Sequence, residues 1–204
     1  DRLLLCDELG CPLDGDELMA IAAADLVRRG ELRANTLVAT IMSTFGLDAL
    51  LHQLGGKVLR AGVGDRNVID KMLREDLNLG GEQSGHLIFR DFVTTGDGLI
   101  SALQILAIME ASGKRLSELR KVLEKFPQEQ RNIAVREKLP FEGFPALMNQ
   151  LRSAEASLAG SGRVLLRYSG TEPKARLLLE GPDQDILRKL ADNIQSEIEA
   201  VLGP

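Results

Sequence analysis

The fold is decided by residues 36–61, which read TLVATIMSTFGLDALLHQLGGKVLRA. The apolar run at 36–41 predicts a strand, residues 46–54 predict a helix, and residues 57–61 predict a second strand. A further helix is predicted at 65–76. Alternating strands and helices with short connections are typical of parallel strands joined by right-handed crossovers. We therefore predict an α/β layer in this part of the chain.

The segment on the N-terminal side of this stretch carries clear helix signals. Asp14 followed by Glu17 matches a capping box at a helix start, and Gly30 is a typical helix stop. The apolar residues between them recur at helical spacing and predict a buried face of Leu18, Ile21, Ala22 and Leu26. Before this helix, residues 2–6 predict a strand that is followed by a turn at 10–12.

On the C-terminal side, a short strand near 87–90 and helices near 97–112 and 116–125 are predicted. The composition then turns polar at 127–131 and the periodicity changes, which indicates a domain boundary. We therefore predict an α/β domain over residues 14–126, with a mixed, mainly parallel sheet and flanking helices.

Residues 127–204 predict a small α+β domain. Its elements are a strand near 131–137, a helix near 142–157, strands at 163–168 and 174–180, and a helix from Asp183. The last helix places apolar residues at three- and four-residue steps, which is typical of an amphipathic helix covering one face of a sheet.

Composition argues against several classes of protein. The net charge is −5, and the chain has no Trp and one Tyr, whereas nucleic-acid surfaces need basic patches and aromatic platforms. No apolar run reaches the roughly 18 residues of a membrane span. Cys6 and Cys11, with only two histidines in the chain, are a poor zinc set. We expect reduced thiols and a cytoplasmic protein with no nucleic-acid or membrane partner.

One loop combines backbone freedom with four hydrogen-bonding side chains. The run Gly80-Gly81-Glu82-Gln83-Ser84-Gly85-His86 lies between apolar stretches. Glycine allows the backbone to approach a ligand closely, and a carboxylate, an amide, a hydroxyl and an imidazole all bond to sugar hydroxyls. The run predicts a loop that binds a small, hydroxyl-rich molecule; the alternative is a solvated turn.

A second loop has the chemistry that a phosphate group requires. Residues 163–179 have apolar, strand-like flanks around a polar centre. The centre contains Ser169, Gly170 and Thr171, and the basic residues on either side of it are Arg167, Lys174 and Arg176. Backbone N–H groups, hydroxyls and guanidinium groups all donate hydrogen bonds to phosphate. The alternative is a hairpin with a solvated basic tip.

Together, the two loops resemble the sugar-binding and phosphate-binding loops of the α-D-phosphohexomutase family. The matching segments, in the family's order, are the opening Asp1-Arg2, 63–66, 81–86, 95–98 and 167–173. The resemblance therefore spans nearly the whole chain. Residues 1–13 resemble the tail of the family's second domain, 14–126 its third domain and 127–204 its fourth.

The residue between Glu82 and Ser84 bears on the branch of the family. Gln83 resembles the phosphoglucosamine mutase branch, whereas methionine is usual at this place in the phosphomannomutase/phosphoglucomutase branch. The resemblance implies that the intact protein interconverts glucosamine 6-phosphate and glucosamine 1-phosphate through a phosphoserine and a bound 1,6-bisphosphate. The phosphomannomutase/phosphoglucomutase activity and a non-catalytic phosphosugar-binding module remain the alternatives.

The resemblance also implies roles for individual residues. Substrate contacts are implied for Glu82, Gln83, Ser84 and His86, and phosphate contacts for Arg167, Ser169, Gly170, Thr171 and Arg176. Arg66 is a further candidate for a substrate contact, because it lies at a predicted helix start and helix N-termini attract anions. Arg2 and His86 are candidates for a catalytic role.

Several of these residues have structural alternatives. Asp65 is a candidate N-cap of the helix predicted at 65–76, and Asp97 a candidate N-cap of the helix that follows it. For His86 the alternative is a structural role as a packed side chain at the start of a strand. For Arg176 the alternative is a strand position that faces solvent. His52 is expected on a helix surface.

The comparison with the family also shows what this chain does not contain. The family's phosphoserine lies in a first domain, and its magnesium loop reads Asp-Gly-Asp-x-Asp-Arg, of which only the final Asp1-Arg2 is present here. Asp1 is thus implied to be one of three Mg²⁺ carboxylates. Because phosphoryl transfer depends on positioning and on metal neutralisation of charge, the chain is expected to need the family's N-terminal domains as partners and to be inactive alone.

Overall fold

Residues 1–203 are described by a computed structural model, in which the chain forms two units, Asp1–Lys125 and a second that begins at Phe126. The strands of the first unit are β1 Leu5–Cys6, β2 Pro12–Leu13, β3 Thr36–Thr40, β4 Lys57–Ala61, β5 Leu79–Gly81 and β6 Leu87–Phe89. Its helices are α1 Gly15–Arg29, α2 Gly46–Gln53, α3 Asp65–Arg74, α4 Gly98–Ser112 and α5 Leu116–Leu119. Short 3₁₀ turns lie at Arg33–Asn35 and Arg120–Val122.

The main sheet of the first unit has the strand order β4-β3-β5-β6. β3 is parallel to both β4 and β5, with Thr36 opposite Lys57 and Val38 opposite Gly80, while β6 runs antiparallel to β5. β1 and β2 form a separate two-stranded hairpin. The predicted mixed, mainly parallel α/β layer is therefore confirmed.

Helix α1 shows how local signals become a packed element. Asp14 accepts a hydrogen bond from the Glu17 N–H and Glu17 accepts one from the Asp14 N–H, both at 3.0 Å, so the predicted capping box is formed. Gly30 ends the helix in the left-handed region, with φ 70°. The predicted face of Leu18, Ile21, Ala22 and Leu26 is buried in the core of this unit.

Other boundaries differ from the prediction. The helix expected over 116–125 ends at Leu119 and continues only as a 3₁₀ turn. The predicted capping of α3 by Asp65 is wrong, because Gly64 occupies the N-cap position with φ 113° and Asp65 is the first helical residue. Asp97 does cap α4, accepting from the Leu99 and Ile100 N–H groups, and His52 is exposed as expected.

The second unit consists of strands β7 Gln128–Ala134, β8 Arg163–Tyr168 and β9 Lys174–Glu180, helices α6 Pro145–Leu158 and α7 Gln184–Leu202, and a 3₁₀ turn at Phe141–Gly143. The three strands form an antiparallel sheet in the order β7-β9-β8. Apolar residues of α6 and α7 pack with those of the sheet in one core. This arrangement confirms the predicted α+β character.

Among the described residues, none of the helices combines the length and the apolar character that crossing a bilayer requires. Cys6 and Cys11 are both exposed thiols.

Candidate functional site

The first two glycines of the predicted ligand loop belong to a strand. Gly80 and Gly81 are buried residues of β5, so the loop itself is confined to residues 82–86, called here the Glu82 loop. A Cβ on Gly80 would lie 2.6 Å from the Met72 sulfur and 2.9 Å from a Val68 methyl of α3. These glycines therefore permit close helix–sheet packing, and their predicted place in the loop is wrong.

The Glu82 loop is a tight turn that closes on itself. The Glu82 N–H donates to the His86 carbonyl at 2.9 Å and the Gly85 N–H to the Glu82 carbonyl at 3.0 Å. Gly85 has φ 93°, and a Cβ there would lie 2.4 Å from the Leu3 carbonyl oxygen. Glycine is thus required at this position both for its backbone angle and for the close approach of residue 3.

The start of helix α1 holds the other side of this loop. The Gly15 N–H donates to the Gln83 carbonyl at 2.9 Å, and a Cβ on Gly15 would lie 2.1 Å from the Glu82 carbonyl oxygen. The backbone of the Glu82 loop is therefore fixed on two sides, while the side chains of Gln83 and Ser84 are exposed. Such a loop presents side chains from a rigid base.

The polar side chains of the loop form one connected cluster. Oε1 of Glu82 accepts a hydrogen bond from the Gly64 N–H at 2.8 Å, and Oε2 lies 3.1 Å from Nδ1 of His86. The Ser84 hydroxyl lies 3.3 Å from the same imidazole nitrogen. The Glu82 and His86 side chains are both only 12% exposed. Three of the predicted sugar-contacting residues are thus brought together.

Asp1 joins this cluster through the other nitrogen of the imidazole. Nε2 of His86 lies 3.1 Å from Oδ1 of Asp1, whose side chain is 65% exposed. Within residues 1–203, no group of three or more His, Cys, Asp or Glu side chains is arranged to hold a metal ion. Mg²⁺ usually takes several oxygen ligands, so Asp1 and its imidazole neighbour do not fit a complete Mg²⁺ site.

The two arginines predicted near this site occupy exposed positions. Arg66 lies two residues beyond Gly64, in the first turn of α3, where helix N–H groups favour anions. Arg2 lies against the start of α4, because a Cβ on Gly98 would be 2.5 Å from the Arg2 carbonyl oxygen. Gly64 lies in the matching segment 63–66, but its contact with Glu82 was not predicted, because that contact joins residues 18 positions apart.

In the second unit, residues 169–173, called here the Ser169 loop, connect β8 to β9. The Ser169 N–H donates to the Lys174 carbonyl at 2.9 Å, and the Glu172 N–H donates to the Ser169 hydroxyl at 3.3 Å. Ser169 is buried, whereas Gly170 and Thr171 are exposed at the tip. The loop is therefore closed by its own hairpin contacts.

Like charges face each other at the base of this loop. Arg167 of β8 is directly opposite Arg176 of β9 in the antiparallel register. Directly opposed like charges destabilise a sheet unless an anion is nearby. Nε of Arg176 is buried and has no hydrogen-bond partner among the described residues. This arrangement is well suited to bind an anion.

Glu172 provides a negative charge within the same cluster. Its carboxylate accepts from Lys174 Nζ at 2.7 Å and from Arg176 Nη2 at 3.2 Å. The hydrogen bond and charge of Lys174, followed by those of Arg176, lower the pKa of Glu172 below its ordinary value. Glu172 therefore balances part of the basic charge.

Lys138 was not singled out in the sequence, but it lies beside this loop. Its Nζ donates to the Ser169 carbonyl at 2.6 Å. The preceding part of the chain is anchored here as well, because the Tyr168 hydroxyl donates to the Leu139 carbonyl at 2.6 Å and the Tyr168 ring stacks on Phe141 at 4.2 Å. Nothing in the local sequence around Lys138 signals a contact 31 residues away.

Comparison with known proteins agrees with this architecture of a mixed α/β unit followed by an α+β unit. Residues 14–126 match the model of phosphoglucomutase/phosphomannomutase alpha/beta/alpha domain III. Residues 109–197 match the model of the phosphoglucomutase/phosphomannomutase C-terminal domain. The chain belongs to the phosphoglucomutase/phosphomannomutase family.

Curated relatives extend the likeness along the whole chain. It is 49% identical over 203 residues to a phosphoglucosamine mutase of Geobacter sp. (strain M21), covering 100% of this chain and 45% of that protein. It is 51% identical over 199 residues to a phosphoglucosamine mutase of Nitratidesulfovibrio vulgaris, covering 98% and 44%. The chain thus spans less than half the length of these relatives.

Solved structures show the same fold at lower identity. An Aspergillus fumigatus N-acetylphosphoglucosamine mutase superposes with a TM-score of 0.77 at 19% identity, over 97% of this chain and 45% of that one. A phosphoglucomutase/phosphomannomutase family protein of Burkholderia thailandensis gives 0.74 at 22% identity, over 98% and 44%. Another structure of the Aspergillus protein is a complex with GlcNAc-6P and magnesium.

Proposed function

We propose that this chain is the C-terminal part of a phosphoglucosamine mutase, and that it recognises the sugar and the distal phosphate of glucosamine 6-phosphate and glucosamine 1-phosphate. The proposal is supported by the relatives named phosphoglucosamine mutase, which match along nearly the whole chain. The observation that carries the binding role is the cluster of Glu82, Ser84 and His86 on a braced loop.

In this proposal the Glu82 loop binds the sugar. The Glu82 carboxylate accepts hydrogen bonds from ring hydroxyls, and Ser84 and Gln83 add donors and acceptors at the exposed face. His86 belongs to the same proposed site, because its Nδ1 lies within hydrogen-bond distance of both Glu82 and Ser84. Arg66 contributes charge at the start of α3, next to Gly64.

The Ser169 loop binds the phosphate that is not reacting. Arg167 and Arg176 supply guanidinium groups, and Ser169, Gly170 and Thr171 supply hydroxyl and backbone N–H donors. Such remote binding positions the reacting atom for displacement. One phosphate would be held by this loop while the other exchanges with the phosphoserine of a domain outside this chain.

The reaction itself requires parts that the described residues do not supply. The proposed scheme transfers a phosphoryl group from a serine to the sugar phosphate, forms a 1,6-bisphosphate, and returns the other phosphoryl group to the serine. Asp1 is proposed as one carboxylate of the magnesium loop and Arg2 as a neighbour of the transferring phosphate. Asp1 does not complete a magnesium site with the other described residues.

Calorimetric titration of this chain with glucosamine 6-phosphate tests the binding role. Glu82→Gln is expected to weaken binding at least tenfold, because a charged acceptor for ring hydroxyls is lost. The matched control is Glu110→Gln on the exposed surface of α4, which should bind as the unsubstituted chain does. Equal affinity of all three proteins would refute the role of Glu82.

A phosphomannomutase/phosphoglucomutase activity is the second candidate, since the matching family models carry that description. Turnover of glucosamine 6-phosphate and mannose 6-phosphate by the full-length protein separates the two. Greater efficiency with mannose 6-phosphate would favour the second candidate. No turnover of either by a folded full-length protein supplied with Mg²⁺ would favour a phosphosugar-binding module.

A further inference from the structure

Residues 41–45, called here the Ser43 loop, lie at the same edge of the sheet as the Glu82 loop. β3 runs parallel between β4 and β5, so the carboxyl ends of these three strands share one edge. Ligands of open α/β sheets bind outside such an edge. The Glu82 side chain, which follows β5, reaches the Gly64 N–H beyond β4 and thus passes the end of β3. The Ser43 loop leaves β3 at this point.

The side chain of Arg60 in β4 hydrogen-bonds to the backbone of the Ser43 loop. Its guanidinium donates to the carbonyl oxygens of Thr40 at 2.8 Å, Ser43 at 2.7 Å and Thr44 at 2.9 Å. It also pairs with Asp48 of α2. One rigid guanidinium thus contacts the last carbonyl of β3 and two carbonyls of the loop, which fixes the course of the loop.

Asp16 of α1 contacts the same loop. Its carboxylate accepts a hydrogen bond from the Thr44 N–H at 2.9 Å, and the residue is fully buried. Asp16 follows Gly15, whose N–H donates to the Gln83 carbonyl. The first turn of α1 therefore contacts the Glu82 loop through one residue and the Ser43 loop through the next.

The buried charge of Asp16 is unfavourable for the fold. Burial raises the pKa of Asp16 from 3.8 to about 6, and Asp14 adds to the rise, while hydrogen bonds from Thr44 and Ser43 and the charge of Arg60 oppose it. An asparagine would accept from the Thr44 N–H without a buried charge. A carboxylate makes the stronger, charge-assisted bond to the loop.

We infer that Asp16 and Arg60 are positioning residues that fix the Ser43 loop as a further wall of the ligand edge beside the Glu82 loop. The inference rests on the proposed function for the identity of the ligand at that edge. It assigns a role to two charged residues that do not contact the sugar themselves.

Protonation of Asp16 weakens its bond with Thr44, so the Ser43 loop loosens as the pH falls through about 6. The charged groups that face Asp16 are Asp14 at the start of α1 and Arg60 of β4. Binding of glucosamine 6-phosphate then weakens at low pH by a route that depends on Asp16.

The test combines amide NMR with calorimetry on the whole chain, on Asp16→Asn, and on the control Asp70→Asn at an exposed position of α3. The Thr44 amide shift should titrate with a midpoint near pH 6 in the unsubstituted chain and the control, and stay flat in Asp16→Asn. The Glu82 amide also senses the imidazole of His86, so in Asp16→Asn it should lose only the part of its titration that it shares with Thr44. Asp16→Asn should bind glucosamine 6-phosphate about tenfold more weakly at pH 7.5, with the difference vanishing near pH 5. The ligand's own phosphate titrates equally in all three proteins.

The outcomes separate this inference from the proposed function. A Thr44 titration that does not reach Glu82, or an Asp16→Asn affinity equal to the control at every pH, overturns the positioning role. If the unsubstituted chain and the control fail to bind glucosamine 6-phosphate while both amides titrate as expected, the positioning role stands and the phosphosugar proposal fails. A loss of folding in Asp16→Asn, read from its unfolding curve, contradicts the unfavourable buried charge and counts against the inference.

Discussion

The Glu82 loop and the Ser169 loop are built on different principles. The Glu82 loop is braced by α1, by residue 3 and by its own turn, and its side chains hydrogen-bond to one another. The Ser169 loop is closed mainly by its own hairpin and carries a set of basic groups around one carboxylate. Hydroxyl groups are recognised by acceptors at fixed positions, whereas an anion is held by charge from flexible side chains. Rigidity should therefore matter more at the first loop and net charge more at the second.

The largest effect should come from a methyl group added at Gly85. Gly85→Ala would meet the Leu3 carbonyl and hold alanine at φ 93°, so we expect a loss of unfolding free energy of about 4 kcal/mol for the first unit. Gly10→Ala is the matched control, because Gly10 has φ 80° with no atom within 4 Å of the added methyl. Denaturant unfolding of both variants measures the difference, and equal losses would contradict the bracing of the Glu82 loop.

The second largest effect should be a pH dependence of the unfolding free energy that comes from Asp16. The pKa of Asp16 is raised above its ordinary value, so the folded state prefers the protonated side chain. The stability from protonated Asp16 is fully present below pH 3.8 and is lost as the pH rises to about 6. This difference between the two pKa values corresponds to about 3 kcal/mol of unfolding free energy. Relative to Asp16→Asn, the unsubstituted chain should lose roughly this much unfolding free energy between pH 4 and pH 7. Parallel stability curves for the two proteins would show that the Asp16 carboxylate is not buried as described.

At the Ser169 loop, charge rather than rigidity should dominate. Arg167→Ala should weaken binding of glucosamine 6-phosphate by about 2 kcal/mol, because a charged hydrogen bond to phosphate is lost. Arg152→Ala, at an exposed position of α6, is the matched control. An unchanged titration of the Ser169, Gly170 and Thr171 amides in Arg167→Ala would remove Arg167 from the phosphate site.

The smallest effect should be a gain in phosphate affinity at the Ser169 loop. Glu172 pairs with Lys174 and Arg176, so Glu172→Gln frees both cations for an added anion. We expect inorganic phosphate to bind about threefold more tightly, since exposed ion pairs are individually weak. Glu155→Gln on α6 serves as the control for the change in net charge. Weaker phosphate binding in Glu172→Gln would mean that Glu172 orders the loop instead of competing with the ligand.

The elements predicted most accurately are those with strong local signals. β4, β8 and β9 have the predicted bounds, and α1 begins and ends at its predicted caps. The strand at Leu79–Gly81 was missed, because two consecutive glycines have no strand preference and form a strand only between β3 and β6. Gly64 rather than Asp65 caps α3, because the chain enters that helix through a left-handed backbone angle.

The candidate site was also predictable only in part. The side chains of both loops were recognisable from their chemistry, since hydroxyl, carboxylate, imidazole and guanidinium groups are grouped within short segments. The contacts of Glu82 with Gly64, of His86 with Asp1, and of Lys138 with Ser169 join distant parts of the chain. The domain boundaries at 14–126 and 127–204 and the role of each site residue stay predictions.

By itself, the sequence determined most of the helices and strands, which faces are apolar, and which two loops carry polar chemistry. These properties depend on residues a few positions apart, through capping, periodicity and backbone preference. Only the tertiary structure decided that the Glu82 side chain passes the end of β3 and that Arg167 lies opposite Arg176. It also decided that Asp16 and Arg60 hydrogen-bond to the same loop. Those relations depend on strand order, register and close packing, which bring together residues that have no local reason to meet.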